Sequence, residues 1–264
     1  MNIDLSGLTA LVTGSTTGIG RAIATGLART GAEVVVTGRV QANVDKAMAS
    51  ISQAIPAARL RGIAADLSTA DGCARLPAAI PDVDILVNNA GIFSLKDFFD
   101  TTDDDWEAFF AANLMSGVRL SRAYLKGMLQ RNWGRIVFIS SESALNIPPD
   151  MIHYGVTKTA QLGVSRGLAE LTAGTGVTVN AVLPGPTLSE GAEEFVASIA
   201  KQTGQTAEQA AAAFVKENRP TSLLQRFATV DEVANMVVYV CSKQASATNG
   251  AALRVDGGVV RTIA

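Results

Sequence analysis

Tyr154 and Lys158 are the two side chains whose spacing most directly suggests chemistry. They are four positions apart in a stretch with helical periodicity, so a helix would place them on one face, one turn apart. A free tyrosine has a pKa of about 10, and a neighbouring ammonium lowers that pKa. Taken alone, this spacing is common on the exposed surface of helices, where it has no function. As a functional pair, it predicts a tyrosine that exchanges a proton with a substrate oxygen.

A second polar group lies upstream, where the strand predicted over Arg135–Ser140 is followed by Ser141. A serine hydroxyl there could hold the same substrate oxygen by a hydrogen bond, which positions that oxygen and stabilises developing charge. The alternative is a polar strand-end turn formed by Ser140, Ser141 and Ser143. Another alternative is a nucleophilic Ser141 assisted by His153, the single histidine, but no G-x-S-x-G elbow accompanies them. We expect His153 at the edge of a pocket or on the surface, without a catalytic role.

The third feature is a glycine-rich turn with the spacing G-x-x-x-G-x-G at Gly14–Gly20. It follows a predicted apolar strand, Leu8–Thr13, and precedes a predicted helix, Arg21–Thr30, which is the context that a nucleotide motif requires. Glycines let the backbone approach a pyrophosphate, and a helix N-terminus offers unpaired N–H groups and a positive dipole end. The turn therefore predicts nucleotide binding, the alternative being a tight turn without a ligand.

The elements that must position these residues alternate between strands and helices along the whole chain. Such alternation predicts an α/β fold: a doubly wound, mostly parallel sheet with helices on both faces, as a single domain over residues 1–264. Ligands in such sheets bind beyond the carboxyl ends of the strands. Further strands are predicted at Val34–Thr37, Leu60–Asp66, Ile85–Val87, Val177–Leu183 and Ala252–Val255, and further helices at 40–55, 102–113, 118–131, 154–172 and 230–242.

Taken in order, these motifs resemble those of the short-chain dehydrogenase/reductase family over essentially the whole chain. The resemblance rests on Thr13-Gly14-x-x-x-Gly18-x-Gly20, Asn88-Asn89-Ala90-Gly91, Asn113, Ser141, Tyr154-x-x-x-Lys158 and Pro184-Gly185. It implies an oxidoreductase that moves hydride between a nicotinamide dinucleotide and a carbonyl or alcohol substrate. It also implies a frequent tetramer or dimer.

The resemblance further implies a set of site residues. The expected catalytic residues are Asn113, Ser141, Tyr154 and Lys158. In the family the lysine also binds the ribose, and the asparagine anchors a water that links the lysine to solvent. Asp66-Leu67 resembles the pair beside the adenine ring, with a plain strand-end turn as the alternative. The expected cofactor-binding residues are Gly14, Ser15, Thr17, Gly18, Ile19, Gly20, Arg39, Asp66, Leu67, Asn89, Ala90, Gly91, Tyr154, Lys158, Pro184, Gly185 and Thr187.

Gly38 and Arg39 bear on the choice between NAD and NADP. They follow the strand Val34–Thr37, where NAD-binding folds often place an acidic residue that accepts hydrogen bonds from the ribose. That acid would repel a 2′-phosphate, whereas the guanidinium of Arg39 can bind a phosphate with two hydrogen bonds. The sequence therefore favours NADP(H) over NAD(H), although Thr17 stands where many NADP-preferring relatives have a basic residue.

The composition narrows the possible function classes. The 264 residues carry a net charge of −2, and 48% are hydrophobic and 17% charged, as in an ordinary globular protein. The basic residues are scattered, so we expect no nucleic-acid partner. No apolar run reaches the ~18 residues that span a bilayer, and the N-terminus does not resemble a secretory signal, so we expect a cytoplasmic protein without a membrane partner. One histidine and the unrelated Cys73 and Cys241 predict no metal site.

The segment after Pro184-Gly185, residues 188–223, is predicted to cover the substrate as a mobile lid. Helices are predicted at Glu193–Lys201 and Ala207–Lys216, and the residues expected to point inward are Phe195, Ile199 and Phe214. This segment varies among relatives, and the fold does not name the substrate.

Two other function classes stay open. A non-catalytic, nucleotide-binding regulatory protein could share the fold, although Tyr154 and Lys158 are both present. A sugar-nucleotide epimerase or dehydratase is a further relative on this fold. Those proteins usually add a larger C-terminal substrate domain, for which 264 residues leave little room.

Overall fold

Strands form where the sequence has short apolar stretches. In the computed structural model, which describes residues 2–263, they are β1 (Thr9–Val12), β2 (Glu33–Gly38), β3 (Arg59–Ala64), β4 (Ile85–Asn88), β5 (Gly134–Ile139), β6 (Val177–Pro184), β7 (Thr187–Leu188), β8 (Ala228–Thr229) and β9 (Ala252–Val255). Seven of them pair in parallel in the order β3-β2-β1-β4-β5-β6-β9, and β7 and β8 form a separate parallel pair. The predicted fold class is confirmed.

The strand order reverses beside β1, because the chain winds outward from β1 to β3 and then returns to place β4 on the other side of β1. The parallel register pairs Val12 with Val36 on one side and with Val87 on the other. Such a reversal opens a crevice beyond the carboxyl ends of the two strands, where ligands bind in sheets of this kind. The glycine-rich turn after β1 therefore lies next to Asn89, which follows β4.

Helices cover both faces of the sheet, as expected for strands that are apolar on both sides. They are α1 (Gly18–Arg29), α2 (Gln41–Ala54), α3 (Ala70–Ala79), α4 (Asp103–Phe109), α5 (Ser116–Gln130), α6 (Ile152–Glu170), α7 (Glu190–Thr203), α8 (Ala207–Asn218) and α9 (Val230–Val240). One buried cluster joins the sheet to α1, α2 and α9, with Ile23 at its centre, and another joins it to α3, α5 and α6, with Leu76. Within residues 2–263, no helix is both long and apolar enough to cross a bilayer.

The sequence does not predict α3, because two of its residues are unfavourable inside a helix. Gly72 and Pro77, two residues that weaken or interrupt helices, both lie inside it. The helix begins nonetheless because the hydroxyl of Thr69 accepts a hydrogen bond from the backbone N–H of Gly72 at 3.0 Å, which caps its first turn.

The other notable differences from the predicted boundaries concern the helices around Asn113, the end of β3 and the pair β7–β8. The helices predicted over 102–113 and 118–131 form one continuous element, because a wider π-helical turn, Phe110–Met115, joins α4 to α5. The strand predicted to reach Asp66 ends at Ala64. The pair β7–β8 was not predicted either, since strands of two residues have no periodicity that a sequence could display.

The segment 188–223 folds into the two predicted helices, α7 and α8, joined at Gly204, whose φ of +68° favours glycine. Its buried side chains, from Val196, Ala200 and Ala210, form a small cluster separate from the two that cover the sheet. Of the residues expected to point inward, Ile199 packs against this cluster and Phe214 lies between Phe195 and Phe227, with ring centroids 5.4 and 5.6 Å away. Phe195 itself remains 44% exposed.

Candidate active site

The glycine-rich turn has three positions at which a side chain does not fit. Gly14 and Gly18 have φ values of +61° and +56°, in the left-handed region that favours glycine. A Cβ on Gly20 would lie 2.3 Å from the carbonyl oxygen of Gly14 and 2.4 Å from Nδ2 of Asn89. Glycine at these positions therefore allows a close backbone turn that leaves the start of α1 open to a ligand.

A carboxylate side chain of the same chain occupies the start of α1. The backbone N–H of Gly18 donates a hydrogen bond to Oε2 of Glu190 at 2.7 Å, and Oε1 of Glu190 forms an ion pair with Arg21. Glu190 is the first residue of α7, so this carboxylate comes from the covering segment. Its oxygens stand in for phosphate oxygens at a helix N-terminus. These residues therefore fit the pyrophosphate of a dinucleotide, with Arg21 as a cation that the sequence motif did not reveal.

Thr13 and Asn89 join this turn to the end of β4. Oγ1 of Thr13 accepts hydrogen bonds from the backbone N–H groups of Asn89 and Ala90, both at 2.9 Å. Nδ2 of Asn89 donates in return to the carbonyl oxygens of Thr13 and Gly14, at 2.9 and 3.0 Å. The crevice between β1 and β4 is therefore held in shape by Asn89, which the sequence assigned to cofactor binding, together with Thr13.

The other predicted ligands of the turn differ in what their side chains do. The N–H of Ser15 donates to the carbonyl oxygen of Thr37 at 2.9 Å, and its hydroxyl donates to that of Val12 at 2.7 Å. Thr17 is exposed just before α1, and Ile19 is half-buried against the core. Oγ of Ser15 also accepts from the N–H of Thr37 at 2.9 Å, so this side chain links β1 to β2.

Tyr154, Lys158 and Ser141 lie together at the carboxyl end of β5. Nζ of Lys158 lies 5.5 Å from the centroid of the Tyr154 ring, as expected for residues one turn apart on α6. The same ammonium donates a hydrogen bond to the carbonyl oxygen of Ile139, the last residue of β5, at 2.9 Å. Ser141 is close enough to the phenol to lower its pKa, and its Oγ accepts from the N–H of Ser143 at 3.1 Å. The structure therefore brings together the three side chains that the sequence analysis proposed for acid–base chemistry and for holding the substrate oxygen.

The pKa of Tyr154 departs from its ordinary value in the direction opposite to the sequence prediction. Burial raises the pKa of this phenol to about 12, because the phenolate would lose its hydration, and the nearby Ser141 hydroxyl offsets only part of that rise. Lys158 does not reverse the shift, since burial lowers the pKa of its ammonium to about 8 and its hydrogen bond goes to Ile139. Tyr154 is therefore a protonated acid at neutral pH.

Asn113 lies in the π-helical turn, and its side chain holds the loop that follows β4. Its Oδ1 accepts from the N–H of Ile92 at 2.7 Å, and its Nδ2 donates to the carbonyl oxygen of Ile92 and the hydroxyl of Thr157, both at 3.0 Å. A Cβ on Gly91 would lie 3.1 Å from Oδ1 of Asn113 and 3.7 Å from Nζ of Lys158. Asn113 therefore lies close to Lys158, with its amide group engaged by the loop. Such π-turns are common at functional sites.

Arg39, Asp66 and Leu67 lie beyond the ends of β2 and β3. The carboxylate of Asp66 accepts hydrogen bonds from the N–H and the hydroxyl of Ser68, at 3.1 and 2.8 Å. These bonds, and less strongly the charge of Arg39, lower the pKa of Asp66. Leu67 is buried, and Arg39 is exposed at the position predicted for a 2′-phosphate contact.

The turn after β6 contains the predicted ligands Pro184, Gly185 and Thr187. A Cβ on Gly185 would lie 2.7 Å from the carbonyl oxygen of Asp256, so a side chain does not fit there. The hydroxyl of Thr187 donates to the carbonyl oxygen of Gly185 at 2.9 Å. Because β7 begins at Thr187 and pairs with β8, this turn also fixes the base of the covering segment.

An ion pair that the sequence did not predict lies beside the acid–base group. Nε of Arg219, which directly follows α8, donates to Oε1 of Glu142 at 2.7 Å. Glu142 directly follows Ser141 and is 2% exposed. The sequence offers one signal for this ion pair: Glu142 is an acidic residue in a strand-end turn whose other residues are small or polar. Where such a turn is buried, its carboxylate requires a partner.

His153 is buried, so of the two expected positions, the edge of a pocket or the surface, the surface is excluded. Its ring lies edge-on to Phe109, with centroids 4.3 Å apart, and its Nε2 is 3.3 Å from Oγ of Ser94. Burial lowers the pKa of the imidazole, which keeps it neutral at pH 7. Within residues 2–263 it has no hydrogen bond to Ser141, and no group of three or more His, Cys, Asp or Glu side chains is arranged to hold a metal ion.

Known proteins match the chain over most or all of its length. The family described as short chain dehydrogenase matches residues 8–200. The uncharacterized oxidoreductase YvaG of Bacillus subtilis is 49% identical over 263 residues, with 100% of each chain covered. D-beta-hydroxybutyrate dehydrogenase of Cupriavidus necator is 38% identical over 260 residues, covering 97% of this chain and 99% of the relative. Among solved structures, L-sorbose reductase from Gluconobacter frateurii, complexed with NADPH and L-sorbose, has a TM-score of 0.92 at 31% identity, with 100% of each chain covered.

Proposed function

Because the chain belongs to the short-chain dehydrogenase/reductase family of NAD(P)-dependent oxidoreductases, we propose that Tyr154 is the general acid or base of a hydride transfer between a nicotinamide dinucleotide and a carbonyl or alcohol substrate. One observation carries this proposal: the Tyr154 phenol, the Ser141 hydroxyl and the Lys158 ammonium meet at the end of β5. The NADPH in the L-sorbose reductase structure supports a nicotinamide cofactor here as well.

The chain's own residues handle the proton and the position of the substrate oxygen. A reduced nicotinamide supplies the hydride, which no side chain can provide. Tyr154, protonated at neutral pH, donates a proton to the oxygen as negative charge develops on it. Ser141 donates a hydrogen bond to the same oxygen, while its own Oγ accepts from the N–H of Ser143. Lys158 stabilises the phenolate that remains after the proton leaves.

The other proposed site residues surround this group. Asn113 completes the proposed catalytic set, and its hydrogen bonds to Ile92 fix the loop beside Lys158. The proposed cofactor ligands lie along the carboxyl edge of the sheet: the backbone of Gly14–Gly20, Asn89-Ala90-Gly91, Asp66-Leu67, and the turn from Pro184 to Thr187.

The proposal includes a preference for NADP(H). Arg39 is exposed beyond β2, where its guanidinium can reach a 2′-phosphate. A Cβ on Gly38 would lie 2.5 Å from Cγ2 of Thr16, so an acidic side chain at this position would require Thr16 to move. Both features favour a phosphate over a free ribose hydroxyl.

The proposal also covers segment 188–223 and the assembly. The segment acts as a lid that excludes water from the reaction when it closes.

A homodimer or tetramer is supported by an apolar groove on α5 and α6, whose lining includes Leu125, Leu129, Leu168 and the 62% exposed Leu171. Light scattering at several protein concentrations measures the assembly directly.

Turnover of a panel of ketones, alcohols and acyl thioesters with NADPH and NADH, followed by nicotinamide absorbance, tests the proposal. We expect turnover of at least one substrate, and Tyr154→Phe should reduce it by roughly 10²–10⁴-fold while NADPH affinity stays nearly intact, since the phenol acts on the substrate. Lys158→Ala should impair both turnover and NADPH binding.

Tyr124→Phe is the matched control. Its buried hydroxyl donates to the carbonyl oxygen of Ile80 at 3.1 Å, near the amino end of β4, so turnover should be retained. Retained turnover in Tyr154→Phe would remove this residue from the mechanism. Nucleotide binding without turnover of any substrate would favour the regulatory alternative.

A further inference from the structure

Glu142 and Arg219 form an ion pair that the proposed mechanism does not use. Nε of Arg219 donates to Oε1 of Glu142 at 2.7 Å, and the side chains are 20% and 3% exposed. Oε1 also lies 3.4 Å from the hydroxyl of Ser143. The second oxygen, Oε2, is buried and has no hydrogen-bond partner among residues 2–263.

A buried carboxylate with only one of its two oxygens hydrogen-bonded is energetically unfavourable. Removing two charges from water is strongly unfavourable, and their attraction compensates only when the remaining lone pairs are also hydrogen-bonded. A buried acceptor left unpaired adds to that cost, because its lost hydration is not replaced. Oε2 of Glu142 therefore favours any ligand that brings a hydrogen-bond donor to it.

This carboxylate lies beside the reacting group. Glu142 follows Ser141 in a short turn that packs against α6, since the hydroxyl of Thr159 donates to the carbonyl oxygen of Ala144 at 2.8 Å. A Cβ on Gly155, next to Tyr154, would lie 3.1 Å from the carbonyl oxygen of Ser143. The charges of Glu142 and Arg219 shift the pKa of Tyr154 in opposite directions, so both lie within electrostatic reach of the phenol.

Arg219 comes from a different part of the chain than Glu142. It follows α8, near the end of segment 188–223, so the ion pair joins that segment to the turn after β5. Because Oε2 of Glu142 is enclosed, a substrate group reaches it only when the Arg219 side chain moves aside.

We infer that Glu142 and Arg219 form a polar subsite for a hydroxyl group of the substrate, next to the carbonyl that Tyr154 protonates. The hydroxyl donates to Oε2 of Glu142 and accepts from the Arg219 guanidinium. The substrate class is thus a hydroxylated ketone or the corresponding polyol. This inference rests on the proposed function, because it names the substrate class of the same site.

The chemistry of the pair disfavours the other substrate classes of this reaction. An alkyl group beside the carbonyl leaves Oε2 unpaired. A carboxylate in that position is ionised at neutral pH, has no proton to donate, and meets the like charge of Glu142. Sites built to hydrogen-bond a substrate hydroxyl reject analogues that lack it far more strongly than apolar pockets reject a missing methylene.

Steady-state reduction with NADPH of acetoin and butanone, which differ by one hydroxyl, tests the inference, with a ketohexose and acetoacetate as further probes. We expect the wild-type kcat/KM to be at least roughly tenfold higher for acetoin than for butanone, the equivalent of one charge-assisted hydrogen bond. Glu142→Gln should lower the acetoin-to-butanone ratio severalfold, mainly through a higher KM for acetoin, because the amide oxygen still accepts a hydrogen bond but carries no charge. Glu170→Gln, which breaks an exposed ion pair with Arg166 on α6, should leave the ratio unchanged.

The outcomes separate three cases. A wild-type ratio near one overturns the inference even if no variant folds. Equal losses on acetoin and butanone in Glu142→Gln, with the ratio kept, make the pair a structural tie of the covering segment and also overturn it. Failure to reduce any ketone, by contrast, would count against the proposed function itself.

Discussion

The carboxyl edge of the sheet and the covering segment 188–223 reach the site by different kinds of contact. At the sheet edge, Asn89 and Lys158 donate to backbone carbonyl oxygens of the strand ends and the first turn, at 2.9 to 3.0 Å. The covering segment is bonded to the body at its two ends by uncharged groups, but it reaches the site itself through charged side chains, Glu190 at the phosphate turn and Arg219 at Glu142. A strand end keeps its place through many neighbouring bonds, whereas one substitution or one competing ligand can release a charged side chain. The proposed acid–base group is therefore preformed, whereas the contact of the proposed cover with the site depends on charge.

The two regions also differ in packing. The strands lie between two large clusters of buried side chains, whereas the cover has only the small cluster of Val196, Ala200 and Ala210 within the described chain. Local stability follows the number of buried apolar contacts. The cover should therefore open at a much lower free energy than the sheet.

Amide hydrogen exchange gives the largest expected difference between the regions. In the free protein, the amides of α7 and α8 should exchange about a hundredfold or more faster than those of β4 and β5, and they should slow when cofactor and substrate bind together. The sheet amides serve as the internal control, since their protection should change little. Equal, core-like protection of α7 and α8 in both states would show a fixed structural insert and erase the distinction.

Arg39→Ala tests a contact on the sheet side that requires no movement of the cover. Loss of the guanidinium should weaken NADPH binding by roughly ten- to a hundredfold and NADH binding little, because only NADPH carries the 2′-phosphate. Titration of both cofactors measures this, and Arg29→Ala, an exposed arginine at the far end of α1, is the matched control. Equal wild-type affinities for NADH and NADPH would contradict the preference.

The pH dependence of reduction reports on the preformed acid–base group. Tyr154, with its pKa raised to about 12, stays protonated through the neutral and moderately alkaline range. Lys158, with its pKa lowered to about 8, is charged below that pH and loses its charge as the pH rises through it. We therefore expect kcat/KM for reduction to be level below about pH 7 and to fall by up to roughly tenfold towards about pH 9.

Lys158→Arg separates this explanation from other alkaline effects. A guanidinium keeps its charge throughout this range, so whatever activity the variant retains should lack the inflection near pH 8. An unchanged inflection in this variant would assign the titration to another group.

The sheet edge was largely readable from the sequence because the turns of a doubly wound sheet meet at one edge in the order in which the chain supplies them. Tyr154 and Lys158 also have helical spacing, which is a local signal. The two charged contacts of segment 188–223 have no such local signal: Glu190 lies 172 positions from Gly18, and Arg219 lies 77 positions from Glu142. Side-chain contacts at these separations follow from tertiary packing, which the spacing of residues in the sequence does not reveal.

The pKa of Tyr154 shows a second limit. The sequence identified the neighbour that would lower it, Lys158, but not the burial that raises it, because desolvation depends on every element packed around the phenol. The burial of His153 was not predicted for the same reason, since the ring of Phe109 that covers it comes from a different helix. Partners along one helix can be predicted from spacing, whereas the surroundings of a side chain cannot.

Glu190→Gln gives the smallest expected effect and tests the charge dependence of the cover most directly. In the wild type, the carboxylate of Glu190 occupies the N–H of Gly18 and the guanidinium of Arg21, both of which fit a cofactor phosphate. Binding the cofactor must therefore displace this carboxylate. The two side chains of the ion pair are each 38% exposed, so solvent screens the contact. Removing the charge should tighten NADPH binding by roughly two- to fivefold, the range expected for an exposed ion pair, and the gain should shrink as salt is added. Glu193→Gln, an exposed acid in the same first turn of α7, should leave the affinity unchanged. Weaker NADPH binding in Glu190→Gln would show that this carboxylate supports the phosphate site and does not compete for it.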